Sequence, residues 1–215
     1  MSESGAASSV SVKRAVYLVD DDAALRGELA ELVAANDMTV REFANGRAFL
    51  DAAGDLDIGC VLLDYSMPGL TGLDVQRELA GRRIGHGIIM LTGRGDVGIA
   101  VRAMQSGAID FLEKPFSPRG LLDALSAAFE QVERLNQARI EREAAIERVG
   151  RLTPRELQVL KAICDGKPNK IVAHELGISM RTVEVHRARL MARLEVRSLS
   201  DALRLLLAAG EIATA

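Results

Sequence analysis

The chain has 215 residues, of which 48 % are hydrophobic and 27 % charged, with a formal net charge of −3. This is a globular composition with apolar material for two modest cores, and it excludes a highly charged disordered chain. It also lacks a run of about 18 apolar residues that could span a bilayer. The charge is unevenly spread: residues 151–215 carry net +4 and residues 1–150 net −7, so the two halves are expected to meet different partners.

Trp is absent and aromatics are 3 %, which predicts aliphatic cores. Cys60 and Cys164 stand in apolar stretches and read as buried free thiols rather than a disulfide or metal pair. The opening MSESGAASSVSV has no signal-peptide apolar core. Residues 1–12 are expected to be a flexible tail, and the protein to be cytoplasmic with no membrane partner.

In chain order, residues 14–19 (RAVYLV) predict a buried strand running into Asp20, Asp21 and Asp22. Leu25, Leu29, Leu32 and Val33 repeat at helical spacing over 22–36. Residues 38–43 alternate as a strand, 45–53 read as a short helix, and 58–63 (IGCVLL) form a strand closed by Asp64. A helix over 71–81, a strand over 86–91, a helix over 96–106 stopped by Gly107, and a strand over 109–112 complete the pattern. Apolar strands alternating with amphipathic helices predict an α/β doubly wound five-stranded parallel sheet covered on both faces.

A long charged helix follows, with Leu121, Leu125, Ala128, Val132, Leu135 and Ile140 as its apolar stripe. It reads as a linker helix or a dimer seam, with the linker as default. From residue 152 only helices are expected. Thr153 and Glu156 form a capping box with Pro154 at the first helical position, and the helix runs to Asp165-Gly166. A short helix over 168–176 stops at Gly177, Ser179 caps a third helix through Leu194, and a fourth covers 198–209. Two helices joined at Gly177 have helix-turn-helix turn chemistry.

Ligands of an open parallel sheet bind beyond the carboxyl ends of its strands. Asp20, Asp21, Asp64, Thr92 and Lys114 all fall there. Singly, each suits a blander role: Asp22 a helix cap, Thr92 the start of the TGRGD loop, Lys114 a surface lysine. Together they make a site. Clustered carboxylates repel one another, and a hard divalent cation such as Mg²⁺ relieves that with oxygen ligands. A carboxylate can also act as a nucleophile and form an aspartyl-phosphate, whose charge Mg²⁺ and Lys114 would offset while Thr92 bonds a phosphoryl oxygen.

The stretches VYLVDDD, LLDYSMPGLTGLD and IIMLTGRGDVGIAVRAMQSGAIDFLEKPF resemble the receiver domains of two-component response regulators over residues 14–118. LTPRELQVLKAICDGKPNKIVAHELGIS and RTVEVHRARLMARLEVRS resemble the LuxR-type helix-turn-helix of the NarL/FixJ regulators over 152–211. The whole chain is most similar to FixJ-like regulators. The resemblance implies Asp64 as phosphoacceptor, with Asp21, Asp64 and the Ser66 main-chain carbonyl as Mg²⁺ ligands and Asp20 acting through water. It implies Thr92 and Phe111 as a switch pair, Lys114 as a phosphate contact, and a cis Lys114–Pro115 peptide. The aromatic switch position is Phe111 rather than Tyr, which removes a hydrogen bond and keeps the packing.

This reading divides the chain into the tail (1–12), the receiver (13–118, its last helix continuing from 119), a helical linker (119–150) and the DNA-binding domain (151–215). In the third helix of that domain Val183, Leu190, Met191 and Leu194 share a core face. Arg181, Thr182, Glu184, Val185, Arg187, Ala188 and Arg189 lie largely on the others. Arg can read guanine, Glu184 can accept from cytosine, and Val185 or Ala188 can touch a thymine methyl in a major groove. Lys167, Asn169 and Lys170 suit phosphates. His174 and His186 have no ligand partner at useful spacing, and His86 reads as structural.

The implied function is a transcriptional regulator, not an enzyme. It would be phosphorylated by a sensor histidine kinase, dimerise, and bind promoter DNA with RNA polymerase as a further partner. An aspartate-nucleophile phosphatase would place a second Asp two residues beyond the nucleophile, where this chain has Ser66. A pure protein-interaction module would not need the basic helix-turn-helix.

Overall fold

The computed structural model describes residues 14–93 and 97–212; the expected tail, and Arg94, Gly95 and Asp96 of the TGRGD loop, lie outside them. Two compact units are present, one ending at Asn136 and the other beginning at Gln137.

The first unit alternates strands and helices: β1 (Ala15–Val19), α1 (Ala23–Ala34), β2 (Thr39–Phe43), α2 (Gly46–Ala52), β3 (Cys60–Asp64), α3 (Gly72–Gly81), β4 (Gly87–Thr92), α4 (Val97–Gln105) and β5 (Asp110–Glu113). The strands form one parallel sheet in the order β2-β1-β3-β4-β5. β1, β3 and β4 are the inner strands, which explains their nearly continuous apolar sequences. Side chains alternate across a strand, and the two cores follow that alternation. Tyr17, Val19, Val61, Leu63, Ile88 and Met90 pack with α2 and α3 on one face. Val16, Leu18, Cys60, Leu62, Ile89 and Leu91 meet α1 and the helix that follows β5 on the other.

The cores are not purely aliphatic, contrary to expectation. Tyr17 lies edge-on to His86 with centroids 5.1 Å apart, and Phe43 lies edge-on to Phe49 at 5.3 Å. Tyr17, Phe43 and Phe49 thus cluster in one layer while Phe129 packs in the other, and composition alone carries no information on clustering. His86 is buried there as expected, accepting the Gly59 amide at Nδ1. Cys60 is buried, whereas Cys164 is only partly so.

Predicted helix ends shift where cap residues stop short of the helix itself. Asp22 caps α1 by accepting the amides of Ala24 and Leu25, and Asn45 caps α2 through Ala48. At Gly72, the first residue of α3, a Cβ would sit 2.7 Å from both the Asp64 carbonyl oxygen and the Met90 sulfur. Gly72→Ala would gain about 1 kcal/mol in helix propensity. The clash with backbone outweighs that gain, and a net loss of about 1–3 kcal/mol is expected in thermal or denaturant unfolding of the receiver.

Helix α5 (Pro118–Gly150) is continuous over 33 residues. Its early residues, Leu121 to Val132, belong to the first unit's core. Val149 belongs to the second unit's core. The stretch read from sequence as linker therefore contributes buried residues to both units, because an apolar stripe does not reveal which core it serves.

The second unit continues with α6 (Pro154–Cys164), α7 (Asn169–Leu176), α8 (Met180–Arg193) and α9 (Leu199–Ala209). Thr153 and Glu156 cap each other reciprocally, Ser179 caps α8, and Gly177 ends α7 at φ +62°, the left-handed conformation that glycine adopts without strain. Val159, Leu160, Val172, Val183, Leu190, Leu194 and Leu206 fill the core. Among the described residues no helix is long and apolar enough to cross a membrane.

Candidate functional site

The alternation that sorts the cores also gathers the polar groups. Asp20 follows Leu18, Asp64 follows Leu62 and Lys114 follows Leu112, each two residues on and therefore on the same side of the sheet. The register Val19↔Leu63 sets Asp20 beside Asp64. The Lys114 ammonium bridges them, with Nζ 2.7 Å from Asp20 Oδ2 and 2.6 Å from Asp64 Oδ1. Asp20 and Asp64 are buried and Asp21 is exposed. One carboxylate oxygen from each of the three lies within 4.8 Å of the others.

Neighbouring backbone fixes the orientation. The Asp22 amide donates to Asp20 Oδ1 at 2.9 Å, and the Ser66 amide to Asp64 Oδ2 at 2.9 Å. Thr92 is buried at the end of β4, its carbonyl accepting the Lys114 amide at 2.8 Å. Lys114–Pro115 is cis. Phe111 is 41 % exposed, turned away from the acidic groups' side of β5 by the alternation. Sequence reasoning missed Arg26, whose Nη1 donates to the Asp20 carbonyl at 2.7 Å and whose Nε lies 3.5 Å from Glu42. Its position one turn into α1, beneath the strand end, was the available clue.

Three carboxylates and one ammonium leave a net charge of −2 in a largely buried pocket. Burial pushes the Asp64 carboxyl up, against the opposing pull of Lys114. Burial alone would lower the Lys114 ammonium, but the bonds and charges of Asp20 and Asp64 outweigh it and hold Lys114 above its ordinary value. An all-oxygen donor set with two uncompensated negative charges fits a hard divalent cation.

In the second unit Arg181, Glu184, Val185, Ala188 and Arg189 are exposed on α8, and Thr182 is half-buried with its hydroxyl 2.8 Å from that of Ser179. Val183, Leu190 and Leu194 are buried, with Met191 partly so. Three expected DNA-facing residues are engaged within the unit. The Lys167 ammonium pairs with both oxygens of Glu175, at 3.0 and 2.8 Å. Arg187 Nη1 donates to Asn169 Oδ1 at 3.0 Å. Lys170 is exposed, and His186 is half-buried.

The profile of the response regulator receiver domain matches residues 16–126, and that of bacterial regulatory proteins of the luxR family matches 150–206. The transcriptional regulatory protein FixJ of Azorhizobium caulinodans is 40 % identical over 195 residues, covering 91 % of this chain and 92 % of that protein. FixJ of Bradyrhizobium diazoefficiens is 39 % identical, covering 94 % and 98 %. Among solved structures, the response regulator StyR superposes with a TM-score of 0.79 at 38 % identity, covering 90 % of this chain and 98 % of that one. Full-length FixJ from B. japonicum superposes at 0.58 and 39 % identity, covering 94 % and 99 %. A receiver domain implies a histidine kinase upstream and a LuxR-type domain implies DNA downstream, so the chain belongs to the FixJ-like response regulators, transcription regulators that join a phosphorylatable receiver to a helix-turn-helix.

Proposed function

We propose that Asp64 is the phosphoacceptor, and that its phosphorylation drives receiver dimerisation and promoter binding in the cytoplasm. The observation that carries this reading is the Lys114 ammonium held between Asp20 and Asp64, with Asp21 in reach of the same point. One Asp64 carboxylate oxygen attacks the phosphorus of a kinase phosphohistidine. The new O–P bond forms as the P–N bond breaks, its electron pair going to the departing imidazole. Lys114 exchanges part of its contact with the carboxylate for a phosphoryl oxygen. Asp21, Asp64 and the Ser66 carbonyl would hold Mg²⁺, with Asp20 acting through water, and the ion would supply charge neutralisation there.

Thr92 then hydrogen-bonds the phosphoryl group, and Phe111 turns into the space it leaves. Phe111, Val101 and Met104 expose apolar side chains on β5 and the adjacent α4. Burial of this face between two receivers would link the switch to dimerisation. Two effector units then engage paired half-sites, so that individually weak contacts combine. Arg181, Glu184, Val185 and Ala188 face base edges, Lys170 faces phosphate, and RNA polymerase is the downstream partner.

The test is light scattering of the full chain with and without a small phosphoryl donor and Mg²⁺, followed by DNA binding of both forms. Doubling of mass and tighter, salt-dependent binding are expected. An unchanged mass together with equal DNA affinity of both forms would sink the proposal.

A further inference from the structure

We infer that Arg187, held in place by Asn169, clamps one DNA backbone phosphate outside the base-reading surface of α8. The inference rests on the DNA-binding reading of the second unit and reassigns one of its residues.

Angular position is the first argument. At about 100° per residue, Arg187 lies only about 40° around α8 from Val183, whose side chain is fully buried. Arg181, Val185 and Ala188 lie about 140–160° from Val183 on the same count. Those residues face a groove into which the opposite side of α8 is docked, whereas Arg187 emerges from the flank beside α7. Its exposure comes from the length of the side chain, which carries the guanidinium past the helix edge.

The bond to Asn169 is the second argument. Asn169 is the first residue of α7, and its amide oxygen holds Arg187 Nη1 at 3.0 Å. A guanine-reading arginine must send a pair of N–H groups to the groove floor. Arg187 is instead tied back toward the preceding helix. From the rim of the groove its remaining donors are suited to a phosphate oxygen, an acceptor that guanidinium binds by strong charge-assisted hydrogen bonds. Asn169 is a positioning residue here: it orders a long side chain before DNA arrives and so reduces the entropy lost on contact.

The two roles make opposite predictions. A base reader loses preference at one base pair; a phosphate clamp loses affinity on every sequence alike. The measurement uses the full chain, a duplex recovered by selection from a random library, its single-base-pair variants, and a scrambled duplex. Arg187→Ala is expected to weaken binding about tenfold on all of them, and to make the slope of log K against log salt shallower by about 0.9. Arg187→Lys keeps the charge and should keep the slope. Asn169→Ala should weaken all duplexes by a smaller factor, leave the slope unchanged, and add nothing when combined with Arg187→Ala. Equal melting temperatures of the variants exclude a folding effect.

Loss of preference at a single base pair in Arg187→Ala, with the scrambled duplex unaffected, overturns the inference, as does an additive double mutant. Absence of salt-dependent binding by the wild-type chain to any duplex defeats the DNA-binding reading itself.

Discussion

Asp64→Asn is expected to lose phosphoryl uptake, donor-driven dimerisation and donor-enhanced DNA binding completely, and yet to melt at a higher temperature than wild type in divalent-free buffer at neutral pH. The first part follows from chemistry, since an amide oxygen is too poor a nucleophile to displace imidazole from phosphorus. The second follows from burial. Asp64 is 6 % exposed, and desolvation pushes its carboxyl above the ordinary 3.8 despite Lys114. A carboxyl whose folded pKa exceeds its unfolded value contributes stability that is full below the unfolded value and is lost as pH rises through the folded one. At neutral pH the wild type therefore carries a buried anion at a cost that Asn avoids. Asn can still accept from Lys114, and the Asp20–Lys114 pair survives. The advantage should narrow as pH falls through the folded pKa. Millimolar Mg²⁺ should reverse the ranking, because ligand binding stabilises the form that binds it better. Melting curves at two pH values, with and without Mg²⁺, measure all of this. A variant that still dimerises with donor would remove Asp64 from the mechanism.

The alternation of strands and helices, and the polar residues at the strand ends, were legible in the sequence for one reason. The inner strands β1, β3 and β4 are buried on both faces, so their residues are uniformly apolar, and Asp20, Asp64 and Thr92 mark the places where the sheet ends. Resemblance added the roles. What stayed hidden depends on contacts between residues distant in sequence. The clustering of Tyr17, Phe43, Phe49 and His86 in one layer needs three dimensions. So does the reach of Arg26 back to the Asp20 carbonyl. Lys167 reads as a free cation until Glu175, eight residues later, is seen against it. Arg187 shows the limit of counting faces on a single helix: a wheel gives its angle, but only the position of α7 says what stands beside it. Val149, near the end of α5, was likewise ambiguous, since it is buried among residues that lie beyond Gly150 in the chain.

Glu156→Ala is expected to destabilise the helix-turn-helix unit by about 2–3 kcal/mol, a large share of the roughly 5–10 kcal/mol such a unit has. Glu156 is 2 % exposed, and its Oε2 takes three hydrogen bonds. It accepts the Thr153 amide at 2.9 Å, the Thr153 hydroxyl at 2.8 Å and Arg193 Nη1 at 3.0 Å. Alanine removes one side of the capping box at the start of α6 and leaves Arg193, near the end of α8, without its buried anion. Two helices that frame the DNA-binding surface thus lose a shared anchor. Burial alone would raise this carboxyl, but the two Thr153 bonds, Arg193 and His186 outweigh it and hold it below its ordinary 4.5. A depressed folded pKa contributes stability that is present above the unfolded value and lost as pH falls through the folded one. The helical unit should therefore weaken in acid, where the buried Asp64 of the receiver is relieved by protonation. Glu156→Gln, which cannot ionise, should fall between alanine and wild type and lose that part of the acid sensitivity. Calorimetry should show the helical transition moving down with DNA affinity, while Asp64 still takes up phosphoryl. Equal loss of phosphoryl uptake and DNA binding in Glu156→Ala would mean that the carboxylate supports something other than the helical unit it caps.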